Sequence, residues 1–157
     1  MFSFVSLNEK KMEKRIDLQQ TEPLALKAMY ALEAYLKNTQ LSAAHKELIK
    51  IRTSQINGCA FCIDMHTRDA LALGETPQRI FLLNAWKETD LYSEEEKTIL
   101  ALTEHITLIS NGGLPDDVYN RAISLFGDNY VAQLIMAVVT INSWNRIAIS
   151  TRKQPGE

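Results

Sequence analysis

The run Asn57-Gly58-Cys59-Ala60-Phe61-Cys62-Ile63-Asp64-Met65-His66 holds the only two cysteines of the chain, three positions apart, with a histidine four residues after the second. Two thiols at that spacing can close a disulfide between neighbours. On an α-helix, His66 shares a face with Cys62. At a helix start, exposed N–H groups and the positive end of the dipole stabilise a thiolate, the reactive form of cysteine. His66 could accept the thiol proton or hold a hydrogen-bonded water. Glu47, in the middle of the preceding helical pattern, is the candidate to orient His66. A thiol, a base, an orienting carboxylate and a second thiol equip a site for redox chemistry. The same Cys59, Cys62 and His66 could instead hold zinc, with Glu47 or a water as fourth ligand. No second Cys or His pair is present, which favours the redox reading. Phe61 and Met65 read as packing residues. Trp86 and Trp144 read as core, or as buried at a subunit contact. His45 and His105 carry no pattern of their own.

The elements that must position these groups are helical throughout. Thr21 can cap a helix with Pro23 in its first turn, and Leu24, Leu26, Met29, Tyr30, Leu32 and Leu36 give it an apolar stripe. Ser42 can cap a second, with Leu48, Ile51 and Ile56 along one face. The alternation Ile49-Lys50-Ile51-Arg52 would also suit a short strand, but the pattern begins upstream in helix-forming Ala43 to Glu47. Asn57-Gly58 is a stop signal, the cysteine helix follows, and Gly74 ends it. Thr76-Pro77 opens a helix carrying Ile80, Phe81, Leu83 and Trp86. Ser93 to Glu96 is a capping box opening a helix through Leu108. Pro115-Asp116-Asp117 begins another that ends near Gly127, and Asp128 can cap a last one through Ala148. These are about seven helices without a convincing strand: an all-α, single-domain antiparallel helical bundle. Residues 1–20 read as a peripheral N-terminal segment, with Met12 a possible alternative start. Residues 21–150 form the helical domain and 151–157 a tail.

At 157 residues, 46% hydrophobic and 23% charged, the chain is large enough for a real core and has the make-up of a soluble domain. A net charge of -2 argues against nucleic acid. Lys10, Lys11, Lys14 and Arg15 read as a solvated tail. The longest apolar stretch, Tyr130 to Ile141, is too short to span a membrane, and the first residues lack a signal-peptide pattern. The expected location is cytoplasmic, where close cysteines are more often catalytic or metal-binding than structural.

Glu47, then Ser54 to Cys59, Cys62, His66 and Gly74 resemble the alkyl hydroperoxidase D (AhpD)-like core of the carboxymuconolactone decarboxylase superfamily. Its signature is Glu, eleven residues, Cys, two residues, Cys, three residues, His, and every element stands at that spacing here. The segments Leu83 to Thr89 and Ile141 to Arg146 look like one branch of it. The resemblance implies an all-helical fold assembling as trimers or hexamers. It implies reduction of organic hydroperoxides without metal or flavin, the thiols being restored by a dithiol or protein reductant. Cys62 would be the attacking thiolate, Cys59 the resolving one, and Glu47 with His66 the proton relay. The residues alone leave the order of the cysteines open, because Cys59 lies nearer the dipole end. In one respect the chain departs from the pattern: the archetype has a further histidine inside the Cys-x-x-Cys, where this chain has Ala60 and Phe61. A non-catalytic redox sensor would use the same disulfide. A lactone-acid decarboxylase, the superfamily's other activity, would not need the cysteines.

Overall fold

The computed structural model describes residues 12–156. Among the described residues are seven α-helices, one 3-10 helix and no strand. They are α1 (Leu18–Thr21), α2 (Pro23–Lys37), α3 (Ala43–Asn57), α4 (Ala60–Ala72), α5 (Pro77–Leu82), a 3-10 helix (Leu83–Glu88), α6 (Glu94–Thr107) and α7 (Asp116–Thr151). The all-α class is as expected, but the partition differs. The short α1 lies in the segment expected to be peripheral. The two last helices expected from the sequence are one, α7, kinked where Gly127 takes φ 74 and ψ 166, a conformation essentially confined to glycine.

Local rules account for most element starts. Ser42 accepts from the N–H of His45, Thr76 from that of Arg79, and Ser93 and Glu96 form the reciprocal capping box. Thr21 does not cap α2. It closes α1, its hydroxyl bonded to the Asp17 carbonyl, while Glu22 stands at the α2 N-cap without a side-chain bond. Ile49 to Arg52 are helical, inside α3.

α3 is the central element. It packs against α4, α6 and α7, and α2 lies on α7. Ile49 enters a core with Leu36, Ile99, Leu102, Leu134 and Val138. Leu48 and Ile51 enter a second, with Leu83, Trp86 and Leu100. Buried on both these flanks, α3 holds Glu47 in place; truncating one such leucine or isoleucine to alanine costs about 2–5 kcal/mol. The α2 stripe is only half covered: Leu26 and Leu36 are buried, while Leu24 and Tyr30 are exposed. Contrary to the sequence expectation, one helix, α7, is long and apolar enough to cross a membrane by length and composition. Here it contributes Val131, Leu134, Ala137, Val138 and Ile141 to the core. Lys10 and Lys11 of the expected basic cluster lie outside the described residues.

Candidate active site

The turn between α3 and α4 places the thiols. Gly58 ends α3 in the left-handed conformation, φ 70 and ψ 34. The N–H of Cys59 then donates back to the Ser54 carbonyl at 2.9 Å. This reverses the chain within two residues and leaves Cys59 at the N-cap of α4, with Cys62 in its first turn. Both are free thiols, 1% and 2% exposed, and pack with Ala148 of α7 and the half-buried Phe61.

One turn further, the imidazole of His66 meets α3. Its Nδ1 lies 2.9 Å from Glu47 Oε2, and both side chains are buried. Burial alone would raise the Glu47 pKa. The hydrogen bond from His66 and the charge of Lys50, whose Nζ is 3.5 Å from Oε1, more than offset it and hold the carboxyl below its usual range. An ionised Glu47 can only accept, so Nδ1 carries the donated proton and Nε2 is the ring nitrogen left for proton exchange. Asp69 Oδ2 stands 3.8 Å from the same Nδ1. Glu33 continues the chain of charges, 3.8 Å from Lys50 and 2.9 Å from the indole nitrogen of Trp144.

The two thiols set one another's acidity. Hydrogen bonding from the Cys62 thiol, with smaller help from the Cys62 backbone N–H and Asn145, lowers the Cys59 pKa to about 7 against the pull of burial. The same hydrogen bond and burial push Cys62 up, partly offset by Asn145 and by the charge of Lys153. The pair thus releases a first proton near neutrality and holds the second tightly.

Access distinguishes the two sulfurs. A cavity of about 650 Å³ is lined by Cys62 and His66 together with Tyr30, Phe61, Ile141 and Trp144; Cys59 is not among its lining residues. The described part of the N-terminal segment contributes Lys14 to Gln19 to the same wall. The four residues singled out from the sequence therefore divide into Cys62 and His66 on the cavity, Cys59 behind Cys62, and Glu47 bonded to His66. The metal set of Cys59, Cys62 and His66 is not assembled. Among the described residues the convergent group is Glu47, His66 and Asp69, with ligand atoms within 4.8 Å of one another, and neither cysteine belongs to it.

Sequence reasoning missed Asn145. This fully buried residue of α7 acts on both thiols, donates to Ser54 Oγ at 3.0 Å, and accepts from Asn57 at 2.9 Å. Asn142 accepts a second bond from the same Asn57 amide at 3.0 Å. Two asparagines three apart in the most apolar helix were the available signal, since a buried carboxamide needs partners.

A model of the carboxymuconolactone decarboxylase family matches residues 23–105, more than half of the chain. The uncharacterized protein YdfG of Bacillus subtilis is 48% identical over 139 residues, covering 88% of this chain and 95% of that protein. A crystal structure from Agrobacterium tumefaciens, of a protein of unknown function described as a candidate AhpD antioxidant defence protein, superposes with a TM-score of 0.89. It is 37% identical, over 92% of this chain and 99% of that one. The debrominase Bmp8 shares the fold at a TM-score of 0.77 and 15% identity, over 87% of this chain and 74% of its own. The chain belongs to the carboxymuconolactone decarboxylase family, among its AhpD-like members.

Proposed function

We propose that this protein is a thiol-dependent peroxidase that reduces organic hydroperoxides through a Cys59–Cys62 dithiol and disulfide cycle. One observation carries the reading: Cys62 and His66 open on one cavity, while the second thiol lies directly behind the first. The negative charge of the singly ionised pair rests mainly on Cys59. Transfer of the Cys62 proton to Cys59 moves that charge to Cys62, where substrate arrives.

The Cys62 thiolate attacks the terminal oxygen of the hydroperoxide. An S–O bond forms as the O–O bond breaks, giving a sulfenic acid. The leaving alkoxide takes the proton that the thiol pair released on ionising, relayed through Nε2 of His66 while Glu47 holds Nδ1, and departs as the alcohol. Cys59 then attacks the Cys62 sulfur. The S–S bond forms, the S–O bond breaks, and hydroxide leaves as water after taking a proton. Two electrons have passed from the dithiol to the peroxide, and an external dithiol or protein reductant returns them. Ala60 and Phe61 replace the archetype's histidine with an apolar wall, so the relay consists of Glu47 and His66 without a third polar member. The exposed apolar residues of α2, of the α4 C-cap and of α5, Leu24, Leu73 and Phe81 among them, suit self-association into a homo-oligomer.

The test is steady-state consumption of cumene hydroperoxide with a small dithiol as reductant and metal chelated. Sustained turnover that vanishes in Cys62→Ser supports the peroxidase. A single stoichiometric oxidation without turnover for any dithiol or thioredoxin-type reductant would favour a redox sensor.

A further inference from the structure

The cavity over Cys62 is apolar on its walls and cationic at one end. α7 ends at Thr151, and Arg152 takes φ 57 and ψ 41, the one non-glycine residue with positive φ among the described residues. That conformation is unfavourable outside glycine. It folds the chain back so that the N–H of Lys153 reaches the Ala148 carbonyl at 3.0 Å, and the Lys153 ammonium lies 4.4 Å from the centre of the Phe61 ring. Arg15 arrives from the N-terminal segment and donates to the Ser150 carbonyl at 3.0 Å, while Arg152 donates to the Glu13 carbonyl at 3.4 Å. All three line the cavity, and among the described residues none forms an ion pair with a carboxylate. The acids of the same cavity are engaged elsewhere: Asp17 caps α1, Glu33 holds Trp144 and Lys50, and Asp69 faces His66.

Cations are expected at a helix C-terminus, where they meet the negative end of the dipole. Capping explains Arg15 on the Ser150 carbonyl. It does not explain the Lys153 ammonium, which lies over Phe61 and whose charge is felt at Cys62. An apolar cavity of this size holds a small-molecule ligand, and a few placed polar groups fix its orientation.

We propose that the cavity selects an amphipathic anion: a hydroperoxide with an apolar body against Tyr30, Trp144 and Ile147, whose single carboxylate is held by Lys153 and Arg15. The proposal rests on the peroxidase reading for its chemistry but not for its binding, so the two fail separately. The carboxylate fixes one end of the ligand by charge-assisted hydrogen bonds. The peroxide then meets Cys62 in one orientation, with the proton relay beyond it.

Two measurements test this. The first is calorimetric titration of the reduced full-length protein with decanoate and with methyl decanoate. Decanoate is expected to bind about tenfold or more tightly than the ester. The preference should fall with added salt and be lost in the Arg15→Gln/Lys153→Gln double variant. The second is the ratio of kcat/KM for linoleic acid hydroperoxide to that for its methyl ester, expected to be about ten or more in wild type and near one in the double variant. Equal binding of acid and ester, no binding of either, or a ratio unchanged in the double variant while its melting temperature drops would overturn the proposal. That last result would leave the cations as helix caps only. Decanoate binding without oxidation of Cys62 by any hydroperoxide would instead sink the peroxidase reading and keep the anion site.

Discussion

An unperturbed thiol is almost wholly protonated at neutral pH, whereas a Cys59 pKa of about 7 leaves about half of the pairs carrying one negative charge there. Thiolate ultraviolet absorbance should therefore rise through pH 7. In Cys62→Ala, which removes the main donor, the midpoint should move up toward the ordinary value of 9.0. Asn145→Ala should move it less in the same direction. An unchanged midpoint in Cys62→Ala would show that the hydrogen bond from Cys62 does not set reactivity. Glu47→Gln keeps the shape but removes the charged acceptor that orients His66 through Nδ1; the oxidation rate of Cys62 should drop about 10²-fold or more in stopped-flow measurements. Because the folded Glu47 pKa is lowered, its ionisation contributes stability that is full above its ordinary 4.5 and fades as pH falls through the lowered value. The stability gap between wild type and Glu47→Gln in denaturant titrations should narrow on that acid limb. Cys59, Cys62 and His66 were legible because their spacing at the start of one helix is local geometry, and Glu47, nineteen residues from His66 on the preceding helix, was legible through the family signature. Asn145 was not, because its role depends on α7 lying beside the α3–α4 turn, and its separation of 88 residues from Asn57 carries no periodicity to read.

Two glycines do at the level of elements what no side chain could. Gly58 lets α4 start two residues after α3 ends, so Cys59 falls on a helix N-cap instead of in a loop. Gly127 lets α7 bend while remaining one element, so that its first half packs Ala122 and its second half delivers Asn142 and Asn145. Gly127→Ala forces an L-residue into a region reserved for glycine. It should cost about 1–3 kcal/mol in chemical denaturation with little change in thiol titration. Gly58→Ala should cost about 1–2 kcal/mol and also disturb the thiol pair, since it sits next to Cys59. Caps at Ser42, Thr76 and Ser93 were readable because each is a contact within three residues. The Thr21 cap was misread because Asp17, an equally good capping residue four positions earlier, starts α1 first and uses Thr21 to end it. Breaks at glycine were likewise readable, but whether a break ends a helix or only bends it depends on packing across the bundle.

For the whole molecule, the site is built where four parts of the chain meet: the N-terminal segment, α2, the α3–α4 pair and the far end of α7. The segment expected from the sequence to be peripheral supplies Lys14 to Gln19 to the wall of the cavity, and Arg15 joins it to α7 through Ser150. Phe81 of α5 is 76% exposed and Leu73, at the C-cap of the cysteine helix, 57%. If these faces are the subunit contacts, sedimentation should find a homo-oligomer, and Phe81→Glu should lower its mass without unfolding α5. A wild-type monomer would contradict self-association and leave the catalytic reading untouched. Helical periodicity made the class of fold legible. Which exposed apolar residues face another subunit was not, because a residue buried in a core and one buried in an interface carry the same pattern.

The most direct test is intact-protein mass spectrometry of metal-free, reduced protein before and after one equivalent of an alkyl hydroperoxide, with a sulfenate trap present, on wild type, Cys59→Ser and Cys62→Ser. Loss of two hydrogens is expected in wild type, with trapped sulfenate in Cys59→Ser alone. Trapping only in Cys62→Ser would make Cys59 the attacking residue despite its place behind the cavity, and no oxidation of wild type would contradict the peroxidase itself.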